Sequence, residues 1–346
     1  MNAIWTLPTQ GDPLGTVRRV LRHVWDSAGL DAMLAPTNGA GGGVPRLLQD
    51  VADLDGVNPF QPLMTTSTAR LLPGFMTARP LDLLGVIARP CELRGLVEMT
   101  KHDGFSMENL VTVCVDCLST LPPDEYRWRA SRQRASDDVE SESVTSEALR
   151  MARHGGLVPY RYRSACQQCG APQSGAADVN IGVLGLPARE FLLVWSRDEG
   201  LARRYGLDRL PVRAASAREV TARQRVVDQL IERRARGRQR AHRSLGGEWG
   251  HAPGAVAALL DGCGPCQACL DACPITAVEP LERAGNGRFS PDAVAHWLVS
   301  CDGCGMCEEA CPQHLPLAAL FGSVRDRLAG ATGYSPGRSV AEPVPV

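Results

Sequence analysis

Eight cysteines in the C-terminal part of this 346-residue chain stand in two copies of one spacing. Cys263, Cys266, Cys269 and Cys273 precede Pro274, and Cys301, Cys304, Cys307 and Cys311 precede Pro312. Each copy reads C-x2-C-x2-C-x3-C-P, the run that ligates 4Fe–4S cubanes. Three thiolates at every third residue wrap one cluster in a tight loop. The fourth, on the helical turn that follows, points away and in two-cluster proteins ligates the other cluster. The spacing therefore predicts one cluster on Cys263, Cys266, Cys269 and Cys311 and a second on Cys301, Cys304, Cys307 and Cys273. The chemistry is one-electron transfer. A zinc site would use paired C-x2-C motifs rather than a triplet with a distal cysteine. A disulfide framework would need an oxidising compartment, of which the sequence gives no sign.

Elements must carry these ligands. SPDAVAHWLVS, between the two motifs, predicts a helix with Ser290 as N-cap and Pro291 at its first position. The motifs are thus expected in a mostly helical two-cluster ferredoxin domain over 251–330, with a compact βαβ ferredoxin as second choice. Upstream, Val17, Val20, Leu21, Val24 and Trp25 recur at helical spacing and lead into a strand. LDLLGVIARP (81–90) and NLVTVCVDC (109–117) read as buried strands flanking a helix, and VNIGVLG and FLLVWS as two more. The order implies an α/β fold with a parallel or mixed sheet over 1–212. The cluster GAGGG (39–43) reads as a loop without the lysine of a P-loop. Residues 131–150 read as an exposed helix. Residues 213–243 hold ten arginines and predict one basic helix, within a linking segment 213–250 between the two domains. Residues 331–346 read as a disordered tail.

Five cysteines remain: Cys91, Cys114, Cys117, Cys166 and Cys169. Cys91 starts a helix after one buried strand, and Cys117 ends the next. Ligands gather at the C-terminal ends of strands in such sheets. The C-x2-C loop of Cys166 and Cys169, folding over Cys91 and Cys117, would complete four ligands. The alternative is that these are small buried hydrophobes. That explains Cys114 well and explains Cys166 and Cys169, in a polar loop, badly.

GVIARPCELRGL (85–96), VTVCVDCLSTLP (111–122) and CQQCGAPQSGAADVNIGVLG (166–185) together resemble the beta subunits of deazaflavin-dependent hydrogenases and formate dehydrogenases. The resemblance spans about residues 10–210. It rests on Pro90-Cys91, on Cys117 with Pro122, on Cys166 and Cys169, and on Ala177-Asp178 with Gly182 and Gly185. It implies a third 4Fe–4S cluster on Cys91, Cys117, Cys166 and Cys169, with FAD beside it. It further implies electron passage between a dinucleotide-like carrier and a partner subunit. TQGDPLGT (9–16) departs from the family's acidic double-glycine segment, and Cys114 has no counterpart. The C-terminal placement of the doubled motif also resembles iron–sulfur subunits of anaerobic sulfite reductase and of sulfhydrogenase.

The expected function is that of an electron-transfer subunit in a cytoplasmic multi-subunit oxidoreductase, a hydrogenase, formate dehydrogenase or similar. Its expected partners are a catalytic or other redox subunit, a soluble ferredoxin, or a dinucleotide-like carrier. The arginine-rich helix would span a gap between the two domains, and that gap would limit electron flow. One alternative is a self-sufficient flavin and iron–sulfur reductase of a small substrate. Another is an iron–sulfur enzyme acting on transfer RNA. Net charge is −1, which gives no chain-wide attraction to nucleic acid or anionic membrane. The basic segment also lacks interleaved aromatics for base stacking, so no nucleic acid is expected. No apolar run reaches the ~18–20 residues of a membrane span, and the N-terminus lacks a signal-peptide pattern.

Overall fold

The computed structural model describes residues 3–38, 43–78, 82–102, 105–134, 143–156, 161–173, 175–246 and 251–345. Its strands are β1 (Ile4–Pro8), β2 (Ala32–Thr37), β3 (Val44–Leu48), β4 (Leu84–Ala88), β5 (Leu110–Val115), β6 (Val179–Gly182), β7 (Phe191–Trp195) and β8 (Arg213–Ala214). They form one sheet in the order β3-β2-β4-β5-β6-β7-β1-β8. The centre, β2-β4-β5-β6, is parallel, with Ala88 opposite Cys114 where β4 meets β5. β3 on one flank and β7, β1 and β8 on the other pair antiparallel. The sheet is mixed, as expected. β1, β3 and β8 are strands that the sequence reading did not place.

Thirteen α-helices surround it among the described residues. Before the cysteine motifs come α1 (Pro13–Ala28), α2 (Thr68–Ala78), α3 (Pro90–Met99), α4 (Pro123–Arg134), α5 (Val144–Met151), α6 (Ser164–Gln168), α7 (Glu199–Arg204) and α8 (Ala217–Ser244). The cysteine-rich region supplies α9 (Pro253–Gly262), α10 (Ala268–Asp271), α11 (Pro291–Val299), α12 (Met306–Ala310) and α13 (Leu317–Thr332). No strand occurs in residues 251–345, so this part is helical rather than βαβ. Where one exposed helix was expected over 131–150, the chain forms the end of α4 and then α5, which buries Val144, Ala148 and Leu149. The segment 39–42 of the glycine cluster lies outside the described residues.

Period-two alternation sends the strand side chains to two cores. Met33 and Ala35 of β2, Ile87 of β4 and Val111, Val113 and Val115 of β5 join Val17, Val20, Leu21 and Val24 of α1. Their neighbours Ala32, Leu34, Leu84 and Val86 face the other way. Burial on both faces is why these strands read as near-continuous apolar runs. The second core holds Leu72 of α2 and Leu96 of α3, and also Val256, Trp297, Leu298, Leu320 and Phe321. The cysteine-rich region therefore shares this core and meets α2 and α3, which cover the sheet's second face, leaving no gap for a linker to span. The residues expected as a tail are held at their start. Tyr334 is buried, its hydroxyl donates to Glu98 Oε2 at 2.5 Å, and Gly337 N–H donates to Glu98 Oε1 at 2.6 Å.

Candidate metal centres

The two doubled motifs come together with their fourth cysteines exchanged. Cys263, Cys266 and Cys269 line one cavity with Cys311, closed by Leu260, Leu315 and Leu317. The loop carrying Cys266 is exposed, whereas Cys311 is buried. Cys311 takes extended backbone ahead of Pro312, as the following proline dictates. Cys301, Cys304 and Cys307 gather instead with Cys273, whose charge acts on each of them. Burial, before any neighbouring charge, pushes the Cys301 thiol up to about 12 and Cys269 up to about 11. Converging buried thiols cannot all ionise against one another in a low-dielectric interior. Iron supplies the positive charge that makes such a set stable as thiolates, so these donor sets fit clusters.

The remaining ligand candidates meet at the strand ends. β4 passes into Pro90 and Cys91 at the first turn of α3, whose N–H groups and dipole face anionic ligands. Glu92 secures that turn by accepting from Arg89 N–H at 2.8 Å and Thr68 N–H at 2.7 Å. β5 stops at Val115, and Cys117 lies two residues beyond it, tied by its N–H to Pro172 O at 2.8 Å. α6 and the residue after it bring Cys166 and Cys169. All four cysteines line one cavity, and Cys304 of the second motif lines the same cavity. Thr120 N–H lies 3.4 Å from Cys166 Sγ and Ser119 N–H lies 3.4 Å from Cys117 Sγ. Burial, then the Cys166 charge, raises Cys117 to about 11. Burial also opposes ionisation of Cys169, but Arg94 and Arg234 overcome it and hold that thiol below its ordinary value. The set fits a cubane on the same ground as the other two. Cys114 stays apart, buried with Ala88, Leu93 and Ala177.

Contact between the third set and the second motif is direct. Cys91 packs against the cluster of Met64, Cys304 and Met306. Arg163, which precedes α6, donates to Cys304 O at 2.7 Å. Gly305 has φ +71°, and a Cβ there would meet Ala165 Cβ of α6 at 2.2 Å. Only glycine permits both that conformation and that approach.

α8 lies across the α/β part. Its inward stripe is Arg223, Val227, Leu230 and Arg234, at helical spacing. Arg223 makes bonds of 2.7 and 2.9 Å to Asp116, which also accepts from Val183 and Leu184 N–H. Arg234 donates to Ser119 Oγ at 2.5 Å. Two of the arginines read as a basic face are thus buried and paired, and α8 packs on α6 over the third set and also on α13, where Arg238 pairs with Asp326 at 3.5 Å. Gly185, part of the family-like segment, has φ +72° and lies where a Cβ would strike Arg223 Cα at 2.9 Å, so it admits α8. Asp178 is buried, accepts from Thr112 and pairs with Arg197. Asp12 caps α1 through Gly15 N–H at 2.8 Å. These residues therefore have structural tasks.

Sequence reading missed several groups at the centres. Trp297 donates its indole N–H to Cys273 Sγ at 3.3 Å, a role that its sequence position does not signal. Arg89, Arg94 and Arg163 lie on or beside the ligand segments, which was the one signal available, whereas Arg325 reaches Cys301 from α13 with no such signal. His102, Glu279 and His296 converge from three separate segments, for which sequence spacing offers no signal.

Residues 257–315 match the family of 4Fe-4S dicluster domains. Among solved structures, the chain is similar to one from the F420-reducing [NiFe] hydrogenase complex of Methanosarcina barkeri, studied by xenon derivatization. The identity is 12%, the TM-score is 0.56, and the likeness covers 71% of this chain and 94% of that one. At this identity the likeness is one of fold. No described helix is long and apolar enough to cross a membrane. The chain thus carries a region similar to 4Fe-4S dicluster domains, and over 71% of its length its fold is similar to that of a chain in a hydrogenase complex.

Proposed function

We propose that this chain is an electron-transfer subunit of a multi-subunit oxidoreductase, relaying single electrons through three 4Fe–4S clusters. The first is held by Cys263, Cys266, Cys269 and Cys311, the second by Cys301, Cys304, Cys307 and Cys273, and the third by Cys91, Cys117, Cys166 and Cys169. The observation that carries the reading is the cavity shared by Cys304 with the third set. Tunnelling falls steeply with distance, and a ligand of one centre packed against a ligand of the next keeps the step short. The exposed Cys266 loop would present the first cluster to a redox partner. The partner at the other end would be a catalytic subunit or a dinucleotide-like carrier meeting the α/β part.

Support for a hydrogenase or formate dehydrogenase setting comes from the fold likeness and from the family-like motifs around Cys91, Cys117 and Cys166. A reducing, cytoplasmic setting suits twelve cysteines used as ligands. FAD would belong beside the third cluster if the family's chemistry carries over. Flavin measured in the same anaerobic preparation decides that point: a stoichiometric flavin supports it and its absence removes it. The relay itself is tested by low-temperature EPR during reductive titration. Three interacting reduced-cluster signals are expected. Two signals, unaffected by Cys117→Ser, would end the three-centre reading.

A further inference from the structure

We infer that His102, Glu279 and His296 form a mononuclear site for a zinc-type divalent ion, separate from the cysteine centres. The three side chains converge from three parts of the chain. His102 follows α3 in the α/β part, Glu279 follows the first cysteine motif, and His296 lies on α11 between the motifs. One ligand atom from each lies within 4.8 Å of the others. His102 Nδ1 contacts Glu279 Oε2, and His296 Nε2 stands 3.5 Å from Glu279 Oε1. While His102 Nδ1 meets the carboxylate directly, the His296–Glu279 separation of 3.5 Å matches the roughly 3.4 Å between ligands held at about 2.0–2.2 Å around a tetrahedral ion. It is long for a good hydrogen bond. The imidazole rings meet edge to face, at 88° with centroids 5.8 Å apart, rather than stacking.

Burial divides the site into a closed and an open side. The His102 side chain is 3% exposed, against 46% for Glu279 and 39% for His296. His102 Nε2 is buried with no hydrogen-bond partner among the described residues, and its Nδ1 meets Glu279. An imidazole taken this far from water gains from a stronger partner on Nδ1 than one half-exposed carboxylate. Two imidazoles and a carboxylate form a donor set suited to zinc, with a fourth position left to water on the open side. Such an ion would pin the end of α3 to the segment between the cysteine motifs.

The test uses the full chain, purified anaerobically, dialysed against micromolar zinc and then against metal-free buffer. Zinc and iron are counted together in the wild type, in Glu279→Gln and in His296→Ala. Both substitutions are at half-exposed positions, so folding is read independently from the iron content. The wild type is expected to keep one zinc per chain. Each variant should lose zinc affinity by roughly tenfold or more with iron unchanged. X-ray absorption at the zinc edge should give only a nitrogen/oxygen shell at about 2.0–2.2 Å. A sulfur shell near 2.3 Å would place the zinc on cysteines and overturn the assignment. Zinc retained by both variants, or no zinc in the wild type, would overturn it as well. The cysteine-cluster reading stands or falls on iron and is untouched by either result.

Discussion

Trp297 packs edge-on against Phe321, with ring centroids 5.1 Å apart, and donates its indole N–H to Cys273 Sγ. A hydrogen bond to a ligand sulfur favours the more negative, reduced cluster and so raises its potential. Trp297→Phe keeps most of the packing and removes the donor. It should lower the second cluster's potential by on the order of 40 mV, equivalent to about 1 kcal/mol of hydrogen bond, as read by EPR-monitored titration. The ligand exchange makes a pairing prediction. Cys311→Ala should remove the same EPR signal as Cys263→Ala, and Cys273→Ala the same signal as Cys301→Ala. If Cys311→Ala matched Cys301→Ala instead, each motif would hold its own four ligands. The eight motif cysteines were legible from spacing because one tight loop fixes their geometry. Arg163 and Trp297 were not, because their importance comes from long-range packing against Cys304 and Cys273.

Short elements bring the third set to the second motif: β4 and β5 deliver Cys91 and Cys117, and α6 delivers Cys166 and Cys169. The approach of α6 to the second motif depends on Gly305, whose φ of +71° and missing Cβ admit Ala165. Gly305→Ala adds both backbone strain and a clash. It should destabilise the chain by more than about 1 kcal/mol and perturb the signals of the second and third clusters while sparing the first. Equal loss of all three would point to general unfolding instead. α8 holds the other side through its N-terminal box, in which Ser216 and Glu219 cap each other. Ser216→Ala should cost roughly 0.5–2 kcal/mol, seen as faster hydrogen exchange in the first turn of α8. The apolar strands and the capped helices α1 and α11 were readable because burial and capping write period and end signals into sequence. The inward placement of Arg223 and Arg234 was not, because an arginine-rich helix carries the same composition whether its arginines meet water or Asp116 and Ser119.

Across the whole molecule, one core runs from β2 and β4 through α3 to α11 and α13, so the cysteine-rich helices and the α/β part share it. Phe321 of α13 is 2% exposed in this core, against Trp297. Phe321→Ala should cost about 3–5 kcal/mol and loosen the clusters and the α/β part together, giving one thermal transition at lower temperature rather than two. Under the proposed function, that shared core would join the two-motif region and the separate cysteine set into a continuous relay. The most direct measurement is iron and acid-labile sulfide per chain in anaerobically purified protein, beside Cys117→Ser and Cys114→Ala. Three cubanes require about twelve irons, unchanged in Cys114→Ala and about four fewer in Cys117→Ser. About eight irons in the wild type, with no loss in Cys117→Ser, would contradict the three-centre account.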